Sequence, residues 1–330
     1  MLISVVILNW NGRSLLESYL PSVVRFSSSL EGSEVVVADN GSDDGSLELL
    51  EAKFPEVRVI KLDKNYGFTG GYNRALKECN SKYVMLLNSD VEVSEGYLEP
   101  LVEMMESDEK VGAVMPKILS LREPNKFEYA GAAGGYLDVL GLPYCRGRVL
   151  SWVEEDKGQY DTVADIFWAS GAALVVRSEL YEELGGLDED FFAHMEEIDF
   201  AWRLKKRGYS IKCVPQSKIY HLGGATLDNS SPRKLYLNFR NSLFMLYKNL
   251  PKSQLFATIF CRMCFDGVVG VSYLFTGSLS KFKAVIKAHL DFYRAIKMLK
   301  IKRKAEISSK KSYTAGFLPF IVLKIFFKNR

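Results

Sequence analysis

Three polar residues, Asn88, Ser89 and Asp90, follow directly after an apolar run at residues 83–87. Such a run is typical of a strand buried on both faces of a parallel sheet. Open α/β sheets bind ligands at the carboxyl ends of their strands, where Asp90 would lie. A divalent metal carrying a diphosphate would satisfy this carboxylate, because hard cations prefer carboxylate and phosphate oxygens. The alternative is a solvated turn in which Asp90 makes only local hydrogen bonds.

A second group of ionisable residues lies within residues 191–203. Helical spacing places Glu196, Asp199 and Arg203 on one stripe, and Glu197 lies about 100° away from that stripe. These residues are set among Phe, Met, Ile and Trp. Apolar surroundings tune the proton affinity of a carboxylate for general-base catalysis. A solvated, salt-bridged stripe is the alternative interpretation.

Polar residues also follow the first two predicted strands. The first strand ends at Asn9 and Asn11, and the second ends at Asp39 and Asn40. The preference of Asp, Asn, Ser and Gly for turns explains much of the polar segment at residues 39–46. Asp39, however, directly follows Val-Val-Val-Ala and could accept a hydrogen bond from a base N–H or a ribose hydroxyl.

A glycine-rich turn at residues 65–73 contains Asn65, Gly67, Gly70 and Asn73 and precedes a predicted helix. Glycines let the backbone approach a ligand, and a helix N-terminus favours phosphate or polar sugar groups. The turn is neither GxGxxG nor a Walker loop, which argues against a dinucleotide dehydrogenase and a P-loop kinase.

Histidine is rare in this chain. His221 follows a predicted strand at residues 211–220 and precedes two glycines. A neutral imidazole there is a candidate metal ligand. His194 and His289 are interpreted as structural residues.

Alternating strands and helices would bring these groups together. Strands are predicted at residues 3–8, 34–38, 57–62, 83–87 and 111–115, and helices at 14–28, 42–53, 70–79 and 96–106. This alternation predicts an α/β fold with a mostly parallel, doubly wound sheet. Residues 119–160 are expected to form hairpins and a mobile loop, before a long strand at 165–176 and a helix starting near Ser178.

Charge divides the chain into two parts. Residues 1–232 carry a balance of −14 and residues 233–330 one of +17, although the whole chain is only +3. We therefore expect a catalytic domain at 1–232 and a basic helical region at 233–330. The acidic part argues against nucleic acid as a partner.

The basic region contains an amphipathic pattern at residues 281–300, with aromatic residues on its apolar face and lysines on much of the rest. Such a helix suits an anionic membrane surface, and a second apolar-basic segment follows at 317–330. Packing of this helix on the catalytic core or on another subunit is the alternative.

Five cysteines, an odd number, favour a reducing compartment. The N-terminus is interpreted as a first strand, not as a signal peptide. We find no window of about 18 uncharged apolar residues that would span a membrane. We therefore expect a cytoplasmic protein, peripheral on the inner face of the cell membrane.

The order of these motifs resembles the inverting glycosyltransferases of family 2, which have the GT-A fold. The resemblance covers about residues 1–250. Asn88-Ser89-Asp90 resembles the DXD motif of that family, as found in rhamnosyltransferase-like members, and Glu196-Glu197-Ile198-Asp199 resembles its ED motif. Trp168-Ala169-Ser170-Gly171-Ala172 is similar to the strand that lines the acceptor site. Asn88 and Glu197 replace the usual aspartates.

The resemblance implies a role for each candidate residue. Asp90 and His221 would hold Mg²⁺ or Mn²⁺, Glu197 would be the base, and Glu196 and Asp199 would orient the base and the acceptor. Acceptor contacts are assigned to Ser170, Gly171 and Arg203. Donor contacts are assigned to Asn9, Asn11, Asp39, Asn40, Asn65, Gly67, Gly70, Asn73, Asn88 and Ser89.

The implied donor is a nucleotide sugar, dTDP-rhamnose or a UDP-sugar, and the implied acceptor is a glycan or a lipid-linked glycan of the cell surface. Two other classes of function stay open on the sequence. A non-catalytic, membrane-bound sugar-nucleotide or glycan-binding protein would keep Asp39 and Asp90 and need no base. A sugar nucleotidyltransferase would need an early basic, glycine-rich loop, and residues 9–13 supply one glycine and one arginine.

Overall fold

The computed structural model describes residues 1–149, 152–223 and 231–307. The strands in these residues are β1 Ile3–Asn9, β2 Ser33–Asp39, β3 Arg58–Lys61, β4 Tyr83–Leu87, β5 Val91–Val93, β6 Val111–Ser120, β7 Gly135–Leu137, β8 Pro143–Cys145, β9 Arg148–Val149, β10 Trp152–Val153, β11 Ala164–Asp165, β12 Ala173–Arg177 and β13 Ser210–His221. The helices are α1 Arg13–Ser27, α2 Ser46–Lys53, α3 Gly67–Leu76, α4 Glu99–Ser107, α5 Ser178–Glu183, α6 Glu196–Lys206, α7 Pro232–Asn249, α8 Lys252–Phe275 and α9 Leu279–Ile307.

A large mixed sheet forms the centre of the molecule, in the order β11-β13-β6-β12-β4-β1-β2-β3, with β5 paired to β13. Strands β1 to β4 are parallel to their neighbours in this group, whereas β12 runs antiparallel between β4 and β6. The chain leaves β1 first toward β2 and β3 and later returns to its other side as β4. The carboxyl ends of β1 and β4 therefore flank a topological switch point, the usual ligand site of such sheets.

The predicted α/β architecture with a central sheet and flanking helices is confirmed, but the sheet is mixed, because β5, β11 and β12 pair antiparallel to their neighbours. β4 matches its predicted limits, and the other N-terminal elements begin or end within a few residues of theirs. Residues 83–87 are all buried, as expected for a strand covered on both faces.

The long strand predicted at residues 165–176 is wrong. The chain forms only β11 and β12 there, and residues 166–172 run between them outside any strand although most are buried. Trp168 explains the interruption. Its indole Nε1 donates to the Tyr136 carbonyl at 2.9 Å, and its own carbonyl accepts from Gly135. Gly135 belongs to the small antiparallel sheet β10-β9-β8-β7, so this segment joins the two sheets.

The basic region shares the hydrophobic core of the catalytic part. Phe244 of α7 and Phe292 and Leu299 of α9 belong to the same buried cluster as the central strands. The ring of Phe191, which precedes α6, lies 6.2 Å from that of Phe244. The change of charge near Pro232 therefore does not separate two cores within the described residues.

Buried ion pairs also connect the two parts. Lys248 of α7 lies 2.5 Å from Asp188 and 2.9 Å from Asp199, and Lys302 of α9 lies 2.5 Å from Asp188. Burial opposes ionisation of Asp188, but the two lysines hold its pKa well below the usual range. Removing one partner from such a buried group leaves an uncompensated charge, so these contacts fix α7 and α9 to the catalytic part.

The amphipathic stripe at residues 281–300 is only partly free to meet a membrane. Val285, Phe292 and Leu299 on this stripe are buried against the core, whereas Ile286 and Tyr293 are exposed. Packing on the core, the alternative left open by the sequence, accounts for the buried half. The segment at 317–330 lies outside the described residues.

One helix among the described residues, α8, is long and apolar enough to cross a membrane by length and composition. This finding does not contradict the expectation that no uncharged window of this length exists. That expectation counted only uncharged runs, and this window is interrupted by Arg262 and Asp266. These two side chains are buried and pair with each other at 2.7 Å.

Candidate functional site

The predicted metal ligands lie side by side. Asp90 follows β4, His221 ends β13, and antiparallel pairing of His221 with Val91 brings the two together. The Asp90 carboxylate Oδ1 lies 3.0 Å from His221 Nε2, and both side chains are buried. Asn88 also reaches this imidazole, with Nδ2 at 3.4 Å from Nε2. Ser89 lies half-buried between Asn88 and Asp90.

Glu128 completes this group and was not identified from the sequence. Its Oε2 lies 3.4 Å from His221 Nδ1, on the opposite side of the ring from Asp90. Its backbone N–H donates to Ile118 of β6, and its carboxylate accepts from the Ala130 N–H. Although burial opposes protonation, hydrogen bonding to Asp90 and Glu128 raises the pKa of His221 to about 10. The two carboxylates thus hold the imidazole as a cation when no other cation is present.

The geometry fits a divalent metal shared with a ligand. Two ligands at right angles, each about 2.1 Å from an ion, are roughly 3 Å apart, which is close to the 3.0 Å between Asp90 Oδ1 and His221 Nε2. Glu128 would then accept from Nδ1–H and leave Nε2 free to coordinate. No cluster of three or more His, Cys, Asp or Glu that could hold a metal is found among the described residues. The remaining ligands would have to come from a bound diphosphate or from water.

The predicted base lies at the start of α6, facing the turn before β12. A Cβ placed on Gly171 would lie 3.9 Å from the Glu197 Cβ and 3.4 Å from the Phe68 ring. Glu197 Oε2 is buried and has no hydrogen-bond partner among the described residues. Burial raises the pKa of Glu197 to about 7. A carboxyl group with this proton affinity is suited to general-base catalysis at neutral pH.

Glu196, its neighbour, is more deeply buried and has an unpartnered Oε2. Burial, together with the negative charge of Glu197, raises the pKa of Glu196 well above its ordinary value. Both carboxyl groups therefore hold a proton more tightly than an ordinary glutamate, and Glu197, which lies beside Gly171, is the candidate proton acceptor.

A backbone contact connects the metal-ligand pair to the base. The Asn88 N–H donates to the Ala172 carbonyl at 3.0 Å, and Gly171, which faces Glu197, precedes Ala172. Ser170 holds this turn, since its hydroxyl donates to the Ala130 carbonyl and accepts from the Ala172 N–H at 3.2 Å. Ser170 and Gly171 thus lie between the Asp90–His221 pair and Glu197, and their contact with an acceptor stays a prediction.

Asp199 and Arg203 belong to the buried ion network that joins α6 to α7. Asp199 contacts Arg203, Lys248 and Asn249. Although burial opposes it, the charges of Lys248 and Arg203 lower the pKa of Asp199. The guanidinium of Arg203 also donates to the Leu184 and Gly186 carbonyls. This placement supports neither the acceptor role predicted for Arg203 nor direct contact of Asp199 with the base.

A cluster of buried polar side chains forms at the ends of β1 and β2. Asn9 Nδ2 donates to Asp39 Oδ1 at 3.1 Å, and the Ser42 N–H donates to Asp39 Oδ2 at 3.0 Å. Asn9 Oδ1 is buried without a partner among the described residues. Each Asp39 oxygen can accept a further hydrogen bond, so the pair can receive N–H or O–H groups of a ligand. Asn11 exchanges hydrogen bonds with Asp43 at the exposed edge.

The glycine-rich turn is held by Asn40. Its side chain donates to Asn65 Oδ1 and to the Gly67 carbonyl and accepts from the Tyr66 N–H. Gly67 has φ of +72°, and an added Cβ would lie 2.8 Å from the Phe192 ring. Asn40, Asn65 and Gly67 therefore shape the turn at the start of α3 next to the loop that precedes the base.

Gly70 and Asn73 lie farther along α3. A Cβ on Gly70 would lie 3.0 Å from the Tyr66 side chain, so a larger residue would crowd the turn. The amide of Asn73 is used internally, since Nδ2 donates to the Leu187 carbonyl at 2.7 Å and Oδ1 accepts from Tyr181 and the Leu187 N–H. This contact ties α3 to the segment between α5 and α6 and does not support a donor-binding role for Asn73.

The loop before the base is strained and is held by α7. Phe192, His194 and Met195 have φ values of 66°, 70° and 72°, a conformation that costs free energy in residues other than glycine. Asn241 Nδ2 lies 2.9, 2.8 and 2.7 Å from the carbonyls of Phe191, Ala193 and His194. Sequence reasoning missed Asn241, which is separated from Glu197 by more than 40 residues and occurs in a helix assigned to the basic region.

We expect replacement of Asn241 with alanine to reduce kcat by about tenfold or more, because a misplaced catalytic group loses alignment. The KM for the donor should change little, since β1 and β2 do not depend on this contact. Steady-state kinetics would measure kcat and KM separately, with Asn238→Ala on the same helix as the control. Loss of thermal stability with kcat preserved would show that Asn241 serves folding alone.

Comparison with known proteins agrees with this geometry. Residues 4–159 match the model of glycosyl transferase family 2. An N-acetylglucosaminyl-diphospho-decaprenol L-rhamnosyltransferase of Mycobacterium tuberculosis is 27% identical over 224 residues, covering 61% of this chain and 72% of that protein.

Two solved structures share the fold at low sequence identity. The mannosyltransferase PcManGT from Pyrobaculum calidifontis, in complex with GDP-Man and Mn²⁺, has a TM-score of 0.55 at 15% identity and covers 88% of this chain and 86% of its own. Staphylococcus aureus TarS 1–349, in complex with UDP-GlcNAc, has a TM-score of 0.58 at 16% identity and covers 93% of this chain and 88% of its own.

Proposed function

Because this chain belongs to the family 2 glycosyltransferases, we propose that it transfers rhamnose or a similar hexose from a nucleoside diphosphate to a lipid-linked glycan, with inversion. The observation that carries the proposal is the position of Glu197. Its Oε2 has no hydrogen-bond partner among the described residues, burial raises the pKa of its carboxyl to about 7, and its Cβ lies beside Gly171. Through the Asn88–Ala172 contact, this turn adjoins the Asp90–His221 pair.

Donor recognition is assigned to the cluster of polar side chains at β1 and β2. Asp39 would accept hydrogen bonds from the base or the ribose, and Asn9 Oδ1 would find in the donor the partner it lacks. Asp90 and His221 would hold Mg²⁺ or Mn²⁺ against the diphosphate. The bound cation would neutralise charge that develops on the leaving nucleoside diphosphate.

Acceptor activation is assigned to Glu197. It would take the proton from the attacking hydroxyl as the bond to the anomeric carbon forms and the bond to the nucleoside diphosphate breaks. Burial and the charge of Glu197 favour the protonated form of Glu196, which would limit the negative charge near the reacting centre. Gly171 leaves room for the acceptor beside Glu197, because a side chain there would fill the space between Glu197 and Phe68.

The name of the mycobacterial relative supports the choice of sugar and acceptor. It suggests dTDP-rhamnose as the donor, with a UDP-sugar as the second candidate, and a polyprenyl-diphosphate-linked glycan of the cell surface as the acceptor. An acceptor of this kind places the reaction at the inner face of the cell membrane, where the excess of basic residues in 233–330 would favour anionic lipid.

The test is a donor panel followed by transfer. Thermal shift with dTDP-rhamnose, UDP-N-acetylglucosamine and GDP-mannose, each with Mn²⁺, should show selective stabilisation by the true donor. Release of nucleoside diphosphate should then rise on addition of a polyprenyl-diphospho-N-acetylglucosamine analogue, and NMR of the product should show an inverted anomeric centre. Donor binding without acceptor-dependent release would instead support a non-catalytic binding protein.

A further inference from the structure

The outward face of α8 is an uninterrupted apolar strip. Phe256, Phe260, Val268, Val271 and Phe275 recur at intervals that place them on one side of the helix, and they are 83%, 60%, 71%, 46% and 88% exposed. An exposed strip of this size on a soluble surface marks a site that meets a partner or a membrane.

Helix α9 extends this strip. One of its sides carries four apolar residues that are about half exposed. They are Leu279 (52%), Ile286 (44%), Leu290 (50%) and Tyr293 (56%). The Tyr293 hydroxyl lies 3.5 Å from the Met263 sulfur of α8, so the two exposed sides adjoin. We call the exposed apolar residues of α8 and α9 the outer apolar face.

Basic residues border this face. Lys283, Lys287 and Arg294 lie on a strip of α9 about 70° from the apolar one, and all three are exposed. Residues 233–330 carry 20 Lys and Arg against 3 Asp and Glu. An apolar face beside a basic strip is the arrangement of helices that lie in the interface of an anionic bilayer.

The contacts on the opposite side of α8 argue against a membrane-spanning position for this helix. Arg262 and Asp266 are buried against the protein, and the Arg262 guanidinium donates to the Leu140 and Gly141 carbonyls. A spanning helix would have to give up these contacts and expose both charges to hydrocarbon, which is costly.

We propose that the outer apolar face docks in the interfacial layer of an anionic membrane, with α8 parallel to its surface. This inference deepens the proposed function, on which it rests only for the identity of the acceptor. It assigns the membrane contact to the exposed sides of α8 and α9, which include Ile286 and Tyr293 of the stripe at 281–300, and not to the buried half of that stripe.

The test is co-sedimentation of the full chain with phosphatidylglycerol-phosphatidylcholine vesicles, without donor or acceptor. A triple variant in which glutamate replaces Phe256, Phe260 and Phe275 should show a fraction of vesicle-bound protein at least tenfold lower. Trp152→Glu is the matched control, since Trp152 is 51% exposed on the small sheet, and it should bind as the wild type does. Reversing the charges of Lys283, Lys287 and Arg294 should weaken binding to anionic vesicles and remove its salt dependence.

Two outcomes would overturn the proposal. In one, the triple glutamate variant sediments with vesicles like the wild type. In the other, the wild type does not bind vesicles and is a dimer that the triple variant converts to a monomer, so that the face joins two copies. Transfer to a water-soluble acceptor should survive the triple substitution. Its absence in the wild type would count against the proposed function and not against the docking face.

Discussion

Replacing Glu197 with glutamine should lower kcat by about 10²-fold or more, while the affinity for the donor stays unchanged. Glutamine keeps the shape of the side chain but cannot accept a proton from the acceptor. Asn9 and Asp39, which are assigned to donor binding, lie on β1 and β2 and not on α6, so their hydrogen bonds should persist in this variant. Single-turnover kinetics together with calorimetric titration of the nucleoside diphosphate would separate the two effects.

The pH profile gives this variant a second readout. Burial raises the pKa of Glu197 to about 7. A general base acts in its deprotonated form, so kcat of the wild type should rise with pH and level off above about 7. The glutamine variant should lose this rise. If the rise persists, another group titrates.

Glu196→Gln is the matched control, because it changes the adjacent carboxyl in the same helix. Since burial and the charge of Glu197 favour the protonated form of Glu196, replacing it with glutamine should cause a much smaller loss of rate. A protonated carboxyl and an amide are both uncharged, so the rising limb of the pH profile should stay close to that of the wild type. A large loss of rate in Glu196→Gln and a small one in Glu197→Gln would reverse the assignment within the pair.

Periodicity predicted the N-terminal half of the fold well because each element there is determined locally. The run at residues 83–87 is apolar at every position and is buried at every position as β4. The segment 165–176 is largely apolar but does not form one strand, because Trp168 bonds across to Gly135 and Tyr136 of the small sheet. Such a contact depends on a residue some 30 positions away, which no local pattern reveals.

Sequence reasoning likewise identified only some of the residues of the candidate site. Asp90 and His221 were identified because each lies at the end of a strand, and sheet pairing brings strand ends together. The contacts of Arg203 and Asn73 do not support their predicted roles, because spacing along a helix does not show which face is covered by another element. Glu128 and Asn241 were missed because their roles come from loops and helices packed onto the sheet. Carboxamides and carboxylates in such positions carry no local signature.

The charge pattern was a good guide to composition and a poor guide to the core. The balance changes sign near Pro232, yet Lys248 and Lys302 from the basic region neutralise Asp188 in the acidic one. The opposite charges of the two parts are thus partly an adaptation to each other. Basic side chains on the exposed side of α9 that are not used in such ion pairs, such as Lys283, are available to anionic lipid.

Replacing Asp90 with asparagine should remove most of the divalent-metal dependence of nucleoside diphosphate binding, a loss of at least 10- to 100-fold in the presence of Mn²⁺. The carboxylate is the anionic ligand of the Asp90–His221 pair, and an amide oxygen binds a hard cation more weakly. Calorimetric titration of the diphosphate with and without Mn²⁺ would measure the difference. Binding without metal should change little, because Asp39 and Asn9 lie on β2 and β1.

Asp165→Asn is the control for this experiment, since the Asp165 carboxylate is 69% exposed and pairs with Lys212 at 2.9 Å, on the edge strand β11. It should keep the full response to Mn²⁺. Circular dichroism and thermal unfolding would establish that both variants fold. If Asp90→Asn binds the diphosphate with an unchanged Mn²⁺ response, the cation is held by other groups. Asp90 would then serve only to position His221, and the assignment of this pair as the metal centre would be wrong.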